Sequence, residues 1–237
     1  ILFSCSSVDN KILVTNLGEA QGTYYHIKYL STYREDFQPQ IDSLLAEVDS
    51  SVSIYLQSSI ISRLNKGEKL TTDEIINVIY SSALHVNLET SGYFDCTVLP
   101  LVKYWGFYQD NYHQIKPPID SSDIFKIMQM IGMHKTAKND SSIVLEKGVQ
   151  LDFNAIAQGY TVDLISKLLE KEGVEDYLVE VGGELKARGL NADGNLWRVG
   201  VDKPSEEIDF QERFQFILDL EDKALASSGN YRRFYKM

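Results

Sequence analysis

The stretch LDFNAIAQGYTVD, Leu151 to Asp163, puts an aspartate just ahead of a predicted helix whose first turns are kept small. Backbone amides in the first turn of a helix lack intrahelical partners, and the helix dipole favours negative charge there. Ala155, Ala157 and Gly159 leave room against the backbone. Asp152, Asn154 and the following amides therefore suit an anionic ligand such as a pyrophosphate. The same pattern also serves close packing of a helix on a sheet, and this stretch alone leaves both readings open. Two further clusters carry polar groups at constrained positions. In SGYFDCTVLPLVKYWGF, two aromatics precede Asp95, which either caps the next turn or contributes to a site. In VEVGGELKARG, two glycines permit tight backbone approach beside Glu184, and alone this reads as a hairpin.

Other chemistries find no residues. His26, His85, His113 and His134 show no metal-ligand spacing, and Cys5 and Cys96 make neither a disulfide framework nor a zinc site. A net charge of −11 over 237 residues repels phosphate backbones, which argues against a nucleic-acid partner. No apolar run approaches the roughly 18 residues of a membrane span. Cys5 closes ILFSC, which has the look of a lipoprotein signal (a short aliphatic run, a small residue, then cysteine) and equally suits the start of an N-terminal strand. On the signal reading Cys5 is a lipid anchor, residues 1–19 form an N-terminal segment, and the membrane is met only through the lipid.

The elements that must position these groups follow from periodicity and punctuation. Ile12 to Leu30 alternates and is rich in aromatic and β-branched residues, predicting strand. Ile41, Leu44, Leu45 and Val48 predict a helix ending near Ser51. A second helix is expected after Thr72 as N-cap, with Asp73 and Glu74 in its first turn and Gly92 as its stop. A short helical segment broken by Pro100 ends at Gly106, and another helix starts at a Ser121 or Ser122 cap and stops at Gly132. SSIVLEKGVQLDF predicts strand. The helix that follows should bury Ile156, Tyr160, Leu164, Ile165, Leu168 and Leu169. DYLVEVGGELKARG, LWRVGVDKP, FQFILDL and ALASSGNYRRFYKM add strands. Helices mixed with antiparallel strands predict an α+β fold.

Taken in order, the blocks AQGTYY, SIYLQSSIISRLN, GYFDCTVLPLVKYWGF, LDFNAIAQGYTVD, VEVGGELKARG, WRVGVDKP and ASSGNYRRF resemble the flavin transferase (ApbE) family from about Ala20 onward. The resemblance implies one domain over residues 20–237, an α+β, T-fold-related architecture with mixed and antiparallel sheets, and FAD in an elongated cleft. It implies Mg²⁺-dependent transfer of FMN from FAD to a threonine of an acceptor protein, with release of AMP. It also implies acceptors among flavoprotein subunits of redox-driven ion pumps and related electron carriers, and a lipoprotein on the periplasmic face of the bacterial inner membrane. An FAD pyrophosphatase and a non-catalytic FAD-binding lipoprotein are the alternatives. Carried over residue by residue, Gln21, Tyr55, Tyr93, Phe94, Asp95, Asp152 and Gln158 fall at FAD-contacting positions, and Ala155 at a metal-ligating one. As alanine it offers only its carbonyl oxygen. The sequence departs from the family pattern at Cys96, where proline is usual, at Leu99 for glycine, at Gln21 for methionine, and at Gln158 for lysine or glutamate. The pattern also continues beyond SSGNYRRFYKM with further metal ligands, so the 237 residues alone are expected to be inactive.

Overall fold

A computed structural model describes residues 11–108, 120–203 and 213–229. In chain order the elements are β1 (Ile12–Ala20), β2 (Thr23–Ser31), α1 (Gln38–Val52), α2 (Ile60–Asn65), α3 (Glu74–Glu89), α4 (Leu99–Tyr104), α5 (Ser121–Met128), β3 (Thr136–Lys138), β4 (Ile143–Leu145), α6 (Asn154–Lys171), β5 (Tyr177–Val181), β6 (Glu184–Arg188), β7 (Trp197–Asp202), β8 (Phe214–Leu220) and β9 (Ala224–Leu225). This is the expected α+β mixture, with every strand pair of the sheets antiparallel. Cys5, His113 and the residues after Gly229 lie outside the described residues.

The described residues fall into two compact units, one within Ile1–Leu45 and Thr161–Ser228, the other within Ala46–Tyr160. The first is built on a five-stranded sheet in the order β1-β2-β5-β6-β9. The alternating run from Ile12 resolves into two strands, because Gln21 and Gly22 both take positive φ (54° and 72°). Two such residues make the tight turn whose twist matches that of a hairpin. Tyr25, Ile27 and Tyr29 of β2 sit opposite Val181, Val179 and Tyr177 of β5, and directly opposite residues share a face. That face is closed by Ile41 and Leu45 of α1 and by Val162, Ile165 and Leu169 of α6, all buried. Each such aliphatic side chain contributes roughly 1.5–3 kcal/mol by leaving water. Leu185 and Ala187 point the other way, onto Trp197 and Leu220.

Along α6 the buried set differs from the expected one. Ala157, Thr161, Val162, Ile165, Ser166 and Leu169 are buried, while Ile156, Tyr160, Leu164 and Leu168 remain half-exposed. The helix is thus rotated toward its small residues, which lets it approach its neighbours closely.

The second unit holds α2 to α5 and the β3–β4 hairpin. Three expected boundaries shift here. The N-cap of α3 is Asp73, whose side chain accepts from the Ile76 amide at 2.8 Å, and Thr72 instead donates to Asn77 Oδ1. Asp120, not a serine, caps α5 by accepting from the Ser122 amide at 2.7 Å. Pro100 opens α4 instead of breaking it, since the first turn needs no proline N–H.

Cys96 is buried, with its sulfur 3.2 Å from Met133 Sδ. Burial, with Asp95 nearby, pushes its thiol up to about 12. At pH 8 it is therefore protonated as well as shielded. Peptide mapping after maleimide labelling should find Cys96 unmodified in native protein and fully modified in denaturant.

Candidate functional site

Three of the predicted site positions converge in the second unit. The segments around Asp95 and Asp152 run side by side: Val98 bridges Gln150 in parallel, and the Asp152 amide donates to the Cys96 carbonyl at 2.7 Å. Asp95 is held inward. Its Oδ1 accepts from the Thr97 amide at 2.8 Å and the Thr97 hydroxyl at 2.6 Å, and its Oδ2 from the Met133 amide at 3.2 Å. Thr97 Oγ1 in turn accepts from the Gly132 amide at 2.7 Å. The Asp95 carboxylate is thus a brace between two loops.

Asp152 Oδ1 accepts from the Asn154 amide at 2.9 Å, closing a turn at the start of α6. The Ile156 and Ala157 amides both reach the Phe153 carbonyl at 2.8 Å. The helix start is therefore less open to an anion than its sequence suggests: these amides have partners, and a carboxylate already sits among them. Burial pushes the Asp152 carboxyl above its ordinary value, with the Asn154 amide and the Lys103 charge pulling back.

Tyr55 joins this group through neighbours. It is 56% exposed and stacks on Tyr108, with ring centroids 5.7 Å apart and planes 16° from parallel. The Tyr108 hydroxyl donates to the Ile54 carbonyl at 2.8 Å. Lys103 Nζ lies 4.8 Å from the centre of the Tyr108 ring and donates to Gln150 Oε1 at 2.9 Å. A flat aromatic surface and a cation are thereby linked through successive contacts, and the Asp152 charge acts on Lys103 electrostatically without an ion-pair contact. Such a set suits a planar ring attached to an anionic group.

The other positions are placed more simply. Tyr93 is 97% exposed, just past α3. Phe94 is half-buried, with its carbonyl accepting from Asn87 Nδ2 at 2.6 Å. Ala155 is exposed in the first turn of α6, and Gln158 is half-buried. In a helix the carbonyl of Ala155 points toward residue 159. That residue is Gly159, whose missing side chain leaves open space. Gln21 belongs to the first unit, where its Nε2 donates to Thr161 Oγ1 at 2.8 Å.

Asn65 escaped the sequence reading. Its side chain donates to the Leu151 carbonyl at 2.8 Å and accepts from the Leu151 amide at 2.7 Å, imitating a strand partner just before Asp152. Nothing local marks it except its place at the end of the SRLN block. Asn65→Ala should cost about 2–3 kcal/mol in urea unfolding, because both backbone groups of Leu151 lose their partners. A change under about 0.5 kcal/mol would show that water replaces the amide at this point.

Among the described residues, no group of three His, Cys, Asp or Glu side chains gathers to hold a metal. The surface depression lined by Glu19, Ala20, Gly22, Thr23 and Tyr24 contains none of the predicted site residues.

Comparison with known proteins adds an independent line. The profile of the ApbE family matches residues 21–237. The chain is 32% identical over 226 residues to the FAD:protein FMN transferase of Vibrio cholerae serotype O1, an alignment covering 92% of this chain and 66% of the relative. It is 30% identical over 234 residues to the FAD:protein FMN transferase of Escherichia coli K12, covering 93% of this chain and 64% of that one. It thus spans just under two thirds of the length of these curated relatives. Among solved structures, the flavin transferase ApbE from Vibrio cholerae superposes with a TM-score of 0.82 at 31% identity, covering 96% of this chain and 74% of its own. The apo form of the Pseudomonas stutzeri flavinyl transferase ApbE gives 0.82 at 26% identity, covering 95% and 71%.

Proposed function

The chain belongs to the ApbE family, and on that premise we propose that the protein transfers the FMN half of FAD to a threonine hydroxyl of an acceptor flavoprotein, releasing AMP. The observation that carries the reading is the convergence of Tyr55, Asp95 and Asp152 in one unit through Tyr108, Lys103 and Gln150. Relatives named FAD:protein FMN transferase support it. Tyr55 offers a ring face for stacking, Lys103 a positive charge for a phosphate oxygen, and Asp152 a carboxylate in the same unit. Asp95 keeps the loop under them in place.

Magnesium belongs to this proposal through the Ala155 carbonyl in the first turn of α6, beside the open space at Gly159. That carbonyl would hold the ion only together with oxygens of the bound nucleotide. When bound, the ion would neutralise pyrophosphate charge. The chain's own residues bind and orient, which is most of what phosphoryl transfer asks of a protein. The acceptors we propose are flavoprotein subunits of redox-driven ion pumps or related electron carriers. We also propose that Cys5 carries a lipid anchor at the periplasmic face of the inner membrane, in keeping with the ILFSC stretch.

Full-length protein given FAD and Mg²⁺ should release AMP only when a threonine-bearing acceptor is present. Release at the same rate without acceptor would identify an FAD pyrophosphatase instead.

A further inference from the structure

Two hairpin turns meet at one end of the five-stranded sheet. Gln21–Gly22 joins β1 to β2, and Gly182–Gly183 joins β5 to β6, with the Gly182 amide donating to the Tyr24 carbonyl at 3.0 Å. Glu184 pairs with Val181, which pairs with Tyr25, so its side chain lies on the face that α6 covers. Its alternate neighbours agree: Lys186 Nζ lies 3.4 Å from Asp163 Oδ1, and Arg188 lies 3.3 Å from Glu170 Oε1, both on α6. Among the described residues, Glu184 itself has no such cation, and its Oε2, shut off from water, has no hydrogen-bond partner.

Gln21 is unusual in the same way. Its φ of 54° is one that glycine, asparagine or aspartate ordinarily takes in such a turn. The amide is tied to Thr161, which is fully buried on α6, while Gln21 Oε1 is also enclosed and has no partner among the described residues. Turning the amide over exchanges its two atoms and still leaves one unsatisfied. An enclosed polar atom without a partner has lost its water and gained nothing in return, which is costly. Here two occur at the same end and on the same face of one sheet, next to a turn of two glycines.

We propose that Glu184 is a ligand-binding residue, and that Glu184 and Gln21 together accept hydrogen bonds from a neutral N–H or O–H edge of FAD. The inference rests on the reading of this protein as one that takes FAD. Phosphate oxygens do not suit the corner, because a carboxylate and an amide oxygen repel them. The donors of FAD lie on its ring nitrogens and sugar-type hydroxyls, in both halves of the molecule. Burial pushes the Glu184 carboxyl above its ordinary value, which fits a group awaiting a donor. The half-exposed side chain reaches such a donor by rotating its terminal torsion.

The test measures FAD, FMN and ADP binding to the full-length protein by calorimetry, in wild type, Glu184→Leu, Glu184→Gln and Gln21→Leu, with circular dichroism checking each fold. Glu184→Leu and Gln21→Leu should each weaken FAD by about tenfold or more, the loss of one good hydrogen bond. Glu184→Gln, which keeps an acceptor oxygen, should stay within about threefold. A matching loss for FMN assigns the donor to the flavin half, and one for ADP to the adenosine half. Folded Glu184→Leu with unchanged affinity for all three overturns the inference and leaves FAD binding standing. Wild-type protein that binds no FAD overturns the functional reading as well.

Discussion

Asp152→Asn is expected to cut acceptor-dependent AMP release by about 100-fold or more while the protein remains folded, the scale of removing one well-placed charge from a transfer site. The distinction between charge and turn bond makes the substitution informative. Asparagine keeps an oxygen that can accept from the Asn154 amide, so the turn at the start of α6 survives. What disappears is the negative charge that acts on Lys103 electrostatically. Asp152→Ala also removes the turn bond to the Asn154 amide and should cost about 1 kcal/mol of stability in addition. The pH dependence has a definite sign. Burial raises the folded carboxyl above its ordinary 3.8, so the folded state binds the proton more tightly than the unfolded chain. Its stabilising contribution is complete below 3.8 and is lost as pH rises through the folded value. Asp152→Asn lacks that loss, so its stability relative to wild type should improve from pH 3 to pH 7. Wild-type turnover in Asp152→Asn would reduce this residue to the turn that precedes α6.

Asp95→Ala should produce the largest loss of stability, about 2–4 kcal/mol, because a charged acceptor holding several donors is removed at once. The Thr97 amide and the Met133 amide would be left facing a void, and the Thr97 hydroxyl would lose the acceptor that orients it toward Gly132. Cys96 and Thr97 are both buried, so water does not reach these groups easily. Asp95→Asn keeps one oxygen but turns an N–H₂ toward a donor, and should fall between the two. Urea titration reads the effect as a lower midpoint with an unchanged slope. A loss below about 1 kcal/mol would mean that the brace is replaced by water or by movement of the Gly132 loop.

The α+β class and most helices were legible because their signals are local: apolar spacing, a capping side chain, a glycine stop. Even so, neighbouring candidates misled. Thr72 and Asp73 are both good caps, and the choice falls to the residue whose extended backbone aims its oxygen at the Ile76 amide. The site was legible only in part. Asp95 and Asp152 stood out as carboxylates at constrained places, yet their roles depend on Met133, Lys103 and Asn65, residues distant in the chain. Asn65 and Leu151 are 86 positions apart, and no periodicity links them. The pairing of Gln21 with Thr161 was equally invisible, since it joins a turn to a helix 140 residues later. The two-unit division was hidden for another reason: its boundaries fall inside α1 and α6, where no linker composition marks them.

Covalent attachment of flavin tests the central claim most directly. The full-length protein is incubated with FAD, Mg²⁺ and a threonine-bearing flavoprotein subunit, and the products are separated on a denaturing gel viewed by flavin fluorescence. The account predicts fluorescence that migrates with the acceptor, that disappears without Mg²⁺, and that is lost when the acceptor threonine is replaced by alanine. An acceptor that stays dark, while the protein demonstrably binds FAD, would contradict it.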